Sequence, residues 1–252
     1  MKAMIFAAGL GTRLRPLTND RPKALVEVDG RTLLEIALAR LREFGIRDVV
    51  VNAHHFADKL VEYLEAHDHF GMRISVSRED ILLDTGGGLK KAAHFFRDDA
   101  RAVREEEPIV VHNVDVVSTI DLARMAEAHT ANKALATLAV QHRKTSRYLL
   151  FDEDGQLCGR RIGEVATAEV VRKSRHVEPL AFAGIHIVSP RLFAKLSEDG
   201  AFSIITSYLR LAGTGEKIMA FPADEEYWRD LGRLEDLEQA AKDLKQRRLR
   251  EH

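Results

Sequence analysis

From its first residue to Gln141 this chain alternates short apolar runs with stretches of helical periodicity, and that alternation limits its fold more than any other feature. Residues 1–8, 48–52, 72–77, 108–114 and 134–141 are apolar runs of strand length. Between them, Leu33, Leu34, Ala37, Leu38, Leu41 and Phe44 recur at helical spacing, which places a helix over about 32–44 with Gly45 stopping it. Phe56, Leu60, Tyr63 and Leu64 place another over 56–67, and further helices are expected over 89–97 and 121–130. Strands separated by helices pair in parallel and carry helices on both faces. The expected class is therefore α/β, with a Rossmann-like, mostly parallel mixed sheet. Such sheets hold ligands at the carboxyl ends of their strands.

After Tyr148 the texture changes. Residues 148–151, a turn over 152–155 and residues 156–161 read as a β-hairpin, and 180–188 as a strand, with Pro190 opening a short helix. Residues 234–250 read as an amphipathic helix whose basic end, 245–250, suits a solvated terminus on the helix dipole. No Gly-, Ser- or Pro-rich linker divides the chain. A single domain over 1–252 is expected, with halves at about 1–145 and 146–252. The second half either adds strands to the same sheet or forms a lid on it.

Bulk properties exclude several classes. The net charge of −1 offers no basic field for nucleic acid. A single cysteine, Cys158, cannot build an internal disulfide framework. No apolar run approaches the roughly 20 residues of a membrane span. The run 3–8 is too short for a signal peptide. A cytoplasmic home without membrane contact is expected.

The segment Ala7 to Lys23 reads AAGLGTRLRPLTNDRPK and follows the first strand directly. Gly9 and Gly11 let backbone N–H groups approach a ligand closely, and successive N–H groups in such a turn form a nest for phosphate oxygens. Arg13 adds a fork that matches phosphate geometry, and Lys23 adds a compact cation. The common phosphate loops do not fit. Lys23 stands twelve residues past Gly11, which breaks the P-loop pattern, and Leu14 occupies the last glycine place of the dinucleotide and kinase loops. Without more, the run is a strand-to-loop turn with two glycines.

The whole run resembles the signature of the sugar-1-phosphate nucleotidylyltransferases, a glycine-rich G-x-G-T-R-L-x-P-L-T loop followed by a Pro-Lys pair. The resemblance extends from Met1 to about Ala241 and is strongest to the short, single-domain uridylyl- and guanylyltransferases. It implies binding of a nucleoside triphosphate through Ala8, Gly9, Gly11, Thr12 and Arg13, with Arg13 and Lys23 as the catalytic cations. It implies a metal held by Asp115, at the end of an apolar strand, and Asp230, before the last helix. Two carboxylates ~4 Å apart repel by roughly 4 kcal/mol at an effective dielectric of about 20, so such a pair needs a cation. Oxygen ligands with phosphate co-ligands suit Mg²⁺. By residue type alone, Asp115 is equally a turn aspartate and Asp230 a helix cap.

One position departs from the family pattern. Val114 precedes Asp115 where many relatives have Gly, which matters only if positive φ is needed there. The segment Asp84–Gly88, expected to lead into a helix from Leu89, offers open backbone groups for a base. The resemblance assigns that role to Thr85, Gly86 and Gly87, and assigns the sugar hydroxyls to Asn113, Glu178 and Gly184. A helix N-terminus with a capping Thr85 or Asp84 explains the same residues without a ligand. The implied partners are a nucleoside triphosphate, UTP favoured, and a sugar 1-phosphate, in a monomer or small homo-oligomer. A GTP-dependent mannose- or heptose-1-phosphate guanylyltransferase and a non-catalytic nucleotide-sugar-binding regulator remain the alternatives.

Overall fold

A computed structural model describes residues 1–97, 107–163 and 168–248. The chain runs β1 (Lys2–Phe6), β2 (Glu27–Val28), β3 (Arg31–Thr32), α1 (Leu33–Glu43), β4 (Asp48–Ala53), α2 (Ala57–Ala66), β5 (Arg73–Arg78), α3 (Asp84–Lys91) and α4 (Ala93–Arg97). It continues through β6 (Ile109–Asn113), β7 (Val116–Ser118), α5 (Leu122–Ala131), β8 (Ala136–Gln141), β9 (Arg147–Phe151), β10 (Leu157–Ile162) and β11 (Glu169–Val170). It ends with β12 (Glu178–Val188), α6 (Ile204–Gly213), β13 (Ile218–Pro222), β14 (Trp228–Asp230) and α7 (Leu234–Arg248). The outermost part of the expected basic helix end, Leu249 and Arg250, lies outside the described residues.

Local chemistry sets the helix starts. The Thr32 side chain accepts the Glu35 N–H at 3.1 Å and caps α1. Asp121 accepts the N–H groups of Ala123 and Arg124 at 2.9 and 3.0 Å and caps α5. Each such cap contributes about 1 kcal/mol.

One mixed sheet holds ten strands among the described residues. Strands β6, β1, β4 and β5 pair in parallel. Strand β12 then pairs antiparallel with β6, with β9 and with β8, while β13 pairs parallel with β8. The second half therefore adds strands to the first half's sheet. The hairpin β9–β10 and the short β11 extend one edge and form the added β region.

The two cores follow from the strand alternation. Ala3 and Ile5 of β1 face Leu34, Leu38 and Leu41 of α1, with Leu60, Leu64 and Leu237 in the same cluster. Met4 faces the other way, toward Leu89, Ile204 and Tyr208. Each fully buried aliphatic side chain stabilises the fold by about 1.5–3 kcal/mol relative to exposure.

One expectation needs correction. The helix expected from Leu89 starts at Asp84 and breaks at Ala92 between α3 and α4. Helix α6, strand β13 and the short ladder of β14 on β7 have no counterpart in the sequence reading. No helix among the described residues is long and apolar enough to cross a membrane.

Candidate active site

The buried parallel strand β1 ends at Phe6, and the chain then turns across the carboxyl end of the sheet. Gly11 sits at φ 63°, the left-handed region that glycine enters without penalty. A methyl group there would come within 2.9 Å of Thr18 Cγ2 and 3.1 Å of Lys23 Cβ. Thr18 Oγ1 donates to the Gly11 carbonyl at 2.8 Å. The loop is thus folded back so that its glycine rests against the base of Lys23. Thr12 and Arg13 lie in a short 3-10 turn over Thr12–Leu14, with Leu14 buried as its anchor.

A cleft of about 420 Å³ opens beside this loop, lined by Ala7, Ala8, Gly9, Lys23, Asn52, Asp84, Thr85, Asn113 and Asp115 among others. Among the described residues, none beyond its chain neighbours comes within 4 Å of the place of a Gly9 Cβ, so the loop faces open space there. Lys23 begins the 3-10 turn Lys23–Leu25 after Pro22 and is only 8% exposed. Its Nζ donates to Asp115 Oδ2, so the lysine turns inward toward the expected metal ligand.

Asp115 and Asp230 come from segments more than a hundred residues apart, and a small ladder joins them. Strand β14 pairs antiparallel with β7, setting Asp230 opposite Val116, and the Leu231 N–H donates to the Asp115 carbonyl at 2.7 Å. Burial raises the pKa of the Asp230 carboxyl, and the neighbouring Asp115 charge raises it further, against the smaller pull of Lys23 and Arg13. The Asp230 carboxyl beside the Asp115 charge forms a donor set that a divalent cation would relieve. Among the described residues no group of three His, Cys, Asp or Glu side chains is arranged for a metal. Phosphate oxygens would have to complete the shell. Arg13 reaches the same place: a methyl at Gly232 would lie 2.5 Å from Arg13 Nη2 and 2.6 Å from Asp230 Oδ1.

Val114 does not require a glycine. It is absent from the residues with positive φ, its side chain is buried in the core, and its N–H donates to the Phe6 carbonyl at 3.1 Å. It occupies the turn between β6 and β7 rather than a simple extension of the strand.

The expected open backbone at Gly86 and Gly87 is corrected. Both N–H groups donate to the Phe202 carbonyl, at 2.8 and 3.3 Å. A Cβ on Gly86 would strike Phe202, and one on Gly87 would strike the Gly200 carbonyl. These glycines are buried helix residues packed against the chain leading into α6. The Thr85 hydroxyl accepts the Ile204 N–H at 3.0 Å, yet Thr85 and Asp84 still line the cleft.

Asn113 and Gly184 are brought together. A methyl at Gly184 would lie 2.8 Å from Asn113 Nδ2. Gly184 sits at φ 75°, within the register shift that kinks β12 between Phe182 and His186. Glu178 is not among the residues lining the cleft. It is exposed, and its Oε1 meets His142 Nε2 at 2.7 Å, while Asp224 takes the other ring nitrogen at 3.0 Å. These two acids raise the His142 pKa.

Sequence reasoning missed a buried pair beneath the loop. Asn52 Oδ1 accepts the Ala7 N–H at 2.7 Å, Asn52 Nδ2 donates to Glu79 Oε1 at 2.7 Å, and Glu79 Oε2 accepts the Leu83 N–H at 3.0 Å. Both side chains are under 5% exposed. The pair ties the glycine loop to the start of α3. Its only trace in the sequence is an asparagine closing the apolar run Val49–Val51.

Comparison with known proteins places this arrangement. The family model described as Nucleotidyl transferase matches residues 2–247. The N-acetylmuramate alpha-1-phosphate uridylyltransferase of Caulobacter vibrioides is 35% identical over 235 residues, covering 91% of each chain. The D-glycero-alpha-D-manno-heptose 1-phosphate guanylyltransferase of Aneurinibacillus thermoaerophilus is 30% identical over 244 residues, 97% of this chain and 98% of its own. The crystal structure of HddC from Yersinia pseudotuberculosis complexed with GMP-PN matches the fold with a TM-score of 0.73 at 20% identity, over 96% of this chain and 99% of that one.

Proposed function

The chain belongs to the nucleotidyl transferase family, among its sugar-1-phosphate enzymes, and on that premise we propose that it condenses UTP with a sugar 1-phosphate in a Mg²⁺-dependent reaction. The products are a UDP-sugar and pyrophosphate. The observation that carries this reading is the convergence of Lys23, Arg13, Asp115 and Asp230 on one rim of the sheet beside the glycine loop. The uridylyl relative at 35% identity supports UTP; the guanylyl relative at 30% keeps GTP as the second candidate.

A sugar-phosphate oxygen attacks the α-phosphorus, a new P–O bond forms, and the bond to the leaving pyrophosphate breaks. The attacking phosphate is already an anion, so no strong base is needed. Catalysis is then positioning and charge neutralisation. Arg13, beside Gly232, takes charge on the triphosphate and the departing pyrophosphate. Lys23 is held at the cleft edge by Asp115 and bridges the two reacting phosphates. Mg²⁺, when bound to Asp115 and Asp230, supplies Lewis-acid neutralisation of the phosphate oxygens. The buried Asn52–Glu79 pair keeps the Ala7 end of the loop in place. Asn113, packed on Gly184, faces the same cleft and is assigned to a sugar hydroxyl.

The test is a matrix of four nucleoside triphosphates against a panel of sugar 1-phosphates, read by pyrophosphate release with Mg²⁺ and with a chelator. Release is expected with UTP and one sugar class, abolished by the chelator. Nucleotide binding without release for any pair would favour the regulatory alternative and end this reading.

A further inference from the structure

Strand β12 runs antiparallel to both β6 and β8, and β6 runs parallel to β1. The carboxyl ends of β1, β6 and β8 therefore share one rim. The first presents the glycine loop and the second Asn113 to Asp115. The third presents His142 and Arg143, which no part of the mechanism above uses.

Arg143 is half-buried in an unusual setting. Its guanidinium carbon lies 3.8 Å from the centroid of the Trp228 ring. Nη2 donates to the Phe182 carbonyl at 2.8 Å, and Nε is sealed from water with no hydrogen-bond partner. Trp228 Nε1 donates to the next carbonyl, Ala183, at 2.7 Å. Arginine and tryptophan together clamp the kink of β12 that contains Gly184, against which Asn113 packs. Trp228 and Asp230 are two residues apart on β14 and so share a face.

Among the described residues no carboxylate forms an ion pair with Arg143. Asp230 is near enough for its charge to act on the guanidinium, but burial outweighs it and pushes the Arg143 pKa down. A cation that has lost water without gaining an anion is costly. Stacking on an indole offsets part of that cost. The rest is recovered when an anion arrives, and a planar fork suits an oxyanion.

We infer that Arg143, stacked on Trp228 and bonded to the Phe182 carbonyl, is the binding residue for an oxyanion of the sugar substrate. The inference rests on the proposed sugar-1-phosphate activity for its substrate class, and the test separates the two. Trp228 is the only tryptophan in the chain, so its fluorescence reports on the guanidinium above it without any turnover. Wild type, Arg143→Gln and Arg143→Lys are titrated with inorganic phosphate, with neutral sugar 1-phosphates and with a carboxylate-bearing sugar 1-phosphate. Initial rates are measured in parallel.

A saturable fluorescence change is expected in wild type. In Arg143→Gln its midpoint rises about tenfold or more, the loss of one charge-assisted hydrogen bond. KM for the sugar 1-phosphate rises in step, while KM for the nucleotide stays within about twofold. Arg143→Lys keeps the charge without the fork and falls between, and it carries the test if the glutamine variant does not fold. Equal losses for neutral and acidic sugars identify the phosphate as the oxyanion; a loss confined to the acidic sugar identifies its carboxylate. Unchanged midpoints in both variants, or a nucleotide KM that rises as much as the sugar KM, overturn the inference while leaving the activity intact. Arginine-dependent phosphate binding in a protein that releases no pyrophosphate overturns the activity and leaves the subsite standing.

Discussion

The rim of the sheet has two sides built on different principles. On the glycine-loop side, Ala8, Gly9, Gly11, Thr12, Arg13 and Lys23 lie within one continuous stretch. They are held by short-range contacts such as Thr18 on the Gly11 carbonyl. On the β14 side, Asn113, Asp115, Arg143, Gly184, Trp228 and Asp230 come from four separated segments. They meet only because β12 is kinked and β14 pairs with β7. A local site tolerates changes elsewhere in the chain; an assembled one depends on every strand that brings it together.

The largest expected effect is on the local side. Lys23→Ala is expected to lower kcat at least a hundredfold, since removing one preorganised charge donor costs about 3–4 kcal/mol of barrier. Circular dichroism should show the fold retained. A variant within about threefold of wild type would remove Lys23 from the mechanism.

On the assembled side, Asp230→Asn is expected to lower kcat by roughly tenfold to a hundredfold and to raise the Mg²⁺ concentration needed for half-maximal rate. The wild-type carboxylate must be ionised to bind metal, and its pKa lies above the usual aspartate value. Mg²⁺ affinity should therefore weaken on acidification sooner than for an ordinary aspartate, and the asparagine variant should lose that part of the pH dependence. Calorimetric titration with Mg²⁺ across a pH series checks both points.

Gly232→Ala probes the junction of the two sides, because the new methyl collides with Arg13 and Asp230 together. About tenfold loss in kcat/KM is expected, with both substrates affected. An effect confined to the sugar 1-phosphate would uncouple Arg13 from the assembled side.

The smallest effect is on stability. Burial pushes His112 down to about 4, and burial with His112 nearby pushes His186 down to about 3. Both are neutral in the fold, while the unfolded chain takes up protons below its ordinary value of 6.5. Their contribution is fully present above pH 6.5 and is lost as pH falls toward 4. Melting temperature should drop over that window. His186 Nδ1 meets the Tyr208 hydroxyl at 2.7 Å, and a His186→Gln variant that keeps a hydrogen bond there should flatten the drop.

These contrasts also explain what was legible beforehand. Periodicity placed β1, α1, β4, α2 and β6 because each buries an apolar face of its own sequence. It missed β7 and β14, three residues each, which are too short to show a pattern. The glycine string and the family resemblance gave open backbone at Gly86 and Gly87, because sequence records the lack of a side chain but not its cause. The cause is close packing on Phe202 and Gly200. Glu178 matched a family position, and in space its side chain meets His142, whose other ring nitrogen meets Asp224.

Backbone freedom, periodicity and charge are local properties, and they were enough to set the alternating sheet, the glycine turn and the two cations that follow it. Three relations lie beyond any local reading: Lys23 turns onto Asp115, Asp230 stands beside it, and Arg143 lies over Trp228 without a carboxylate partner among the described residues. Those relations are set by strand pairing across long stretches of chain, and pairing is chosen by the packing of the whole sheet.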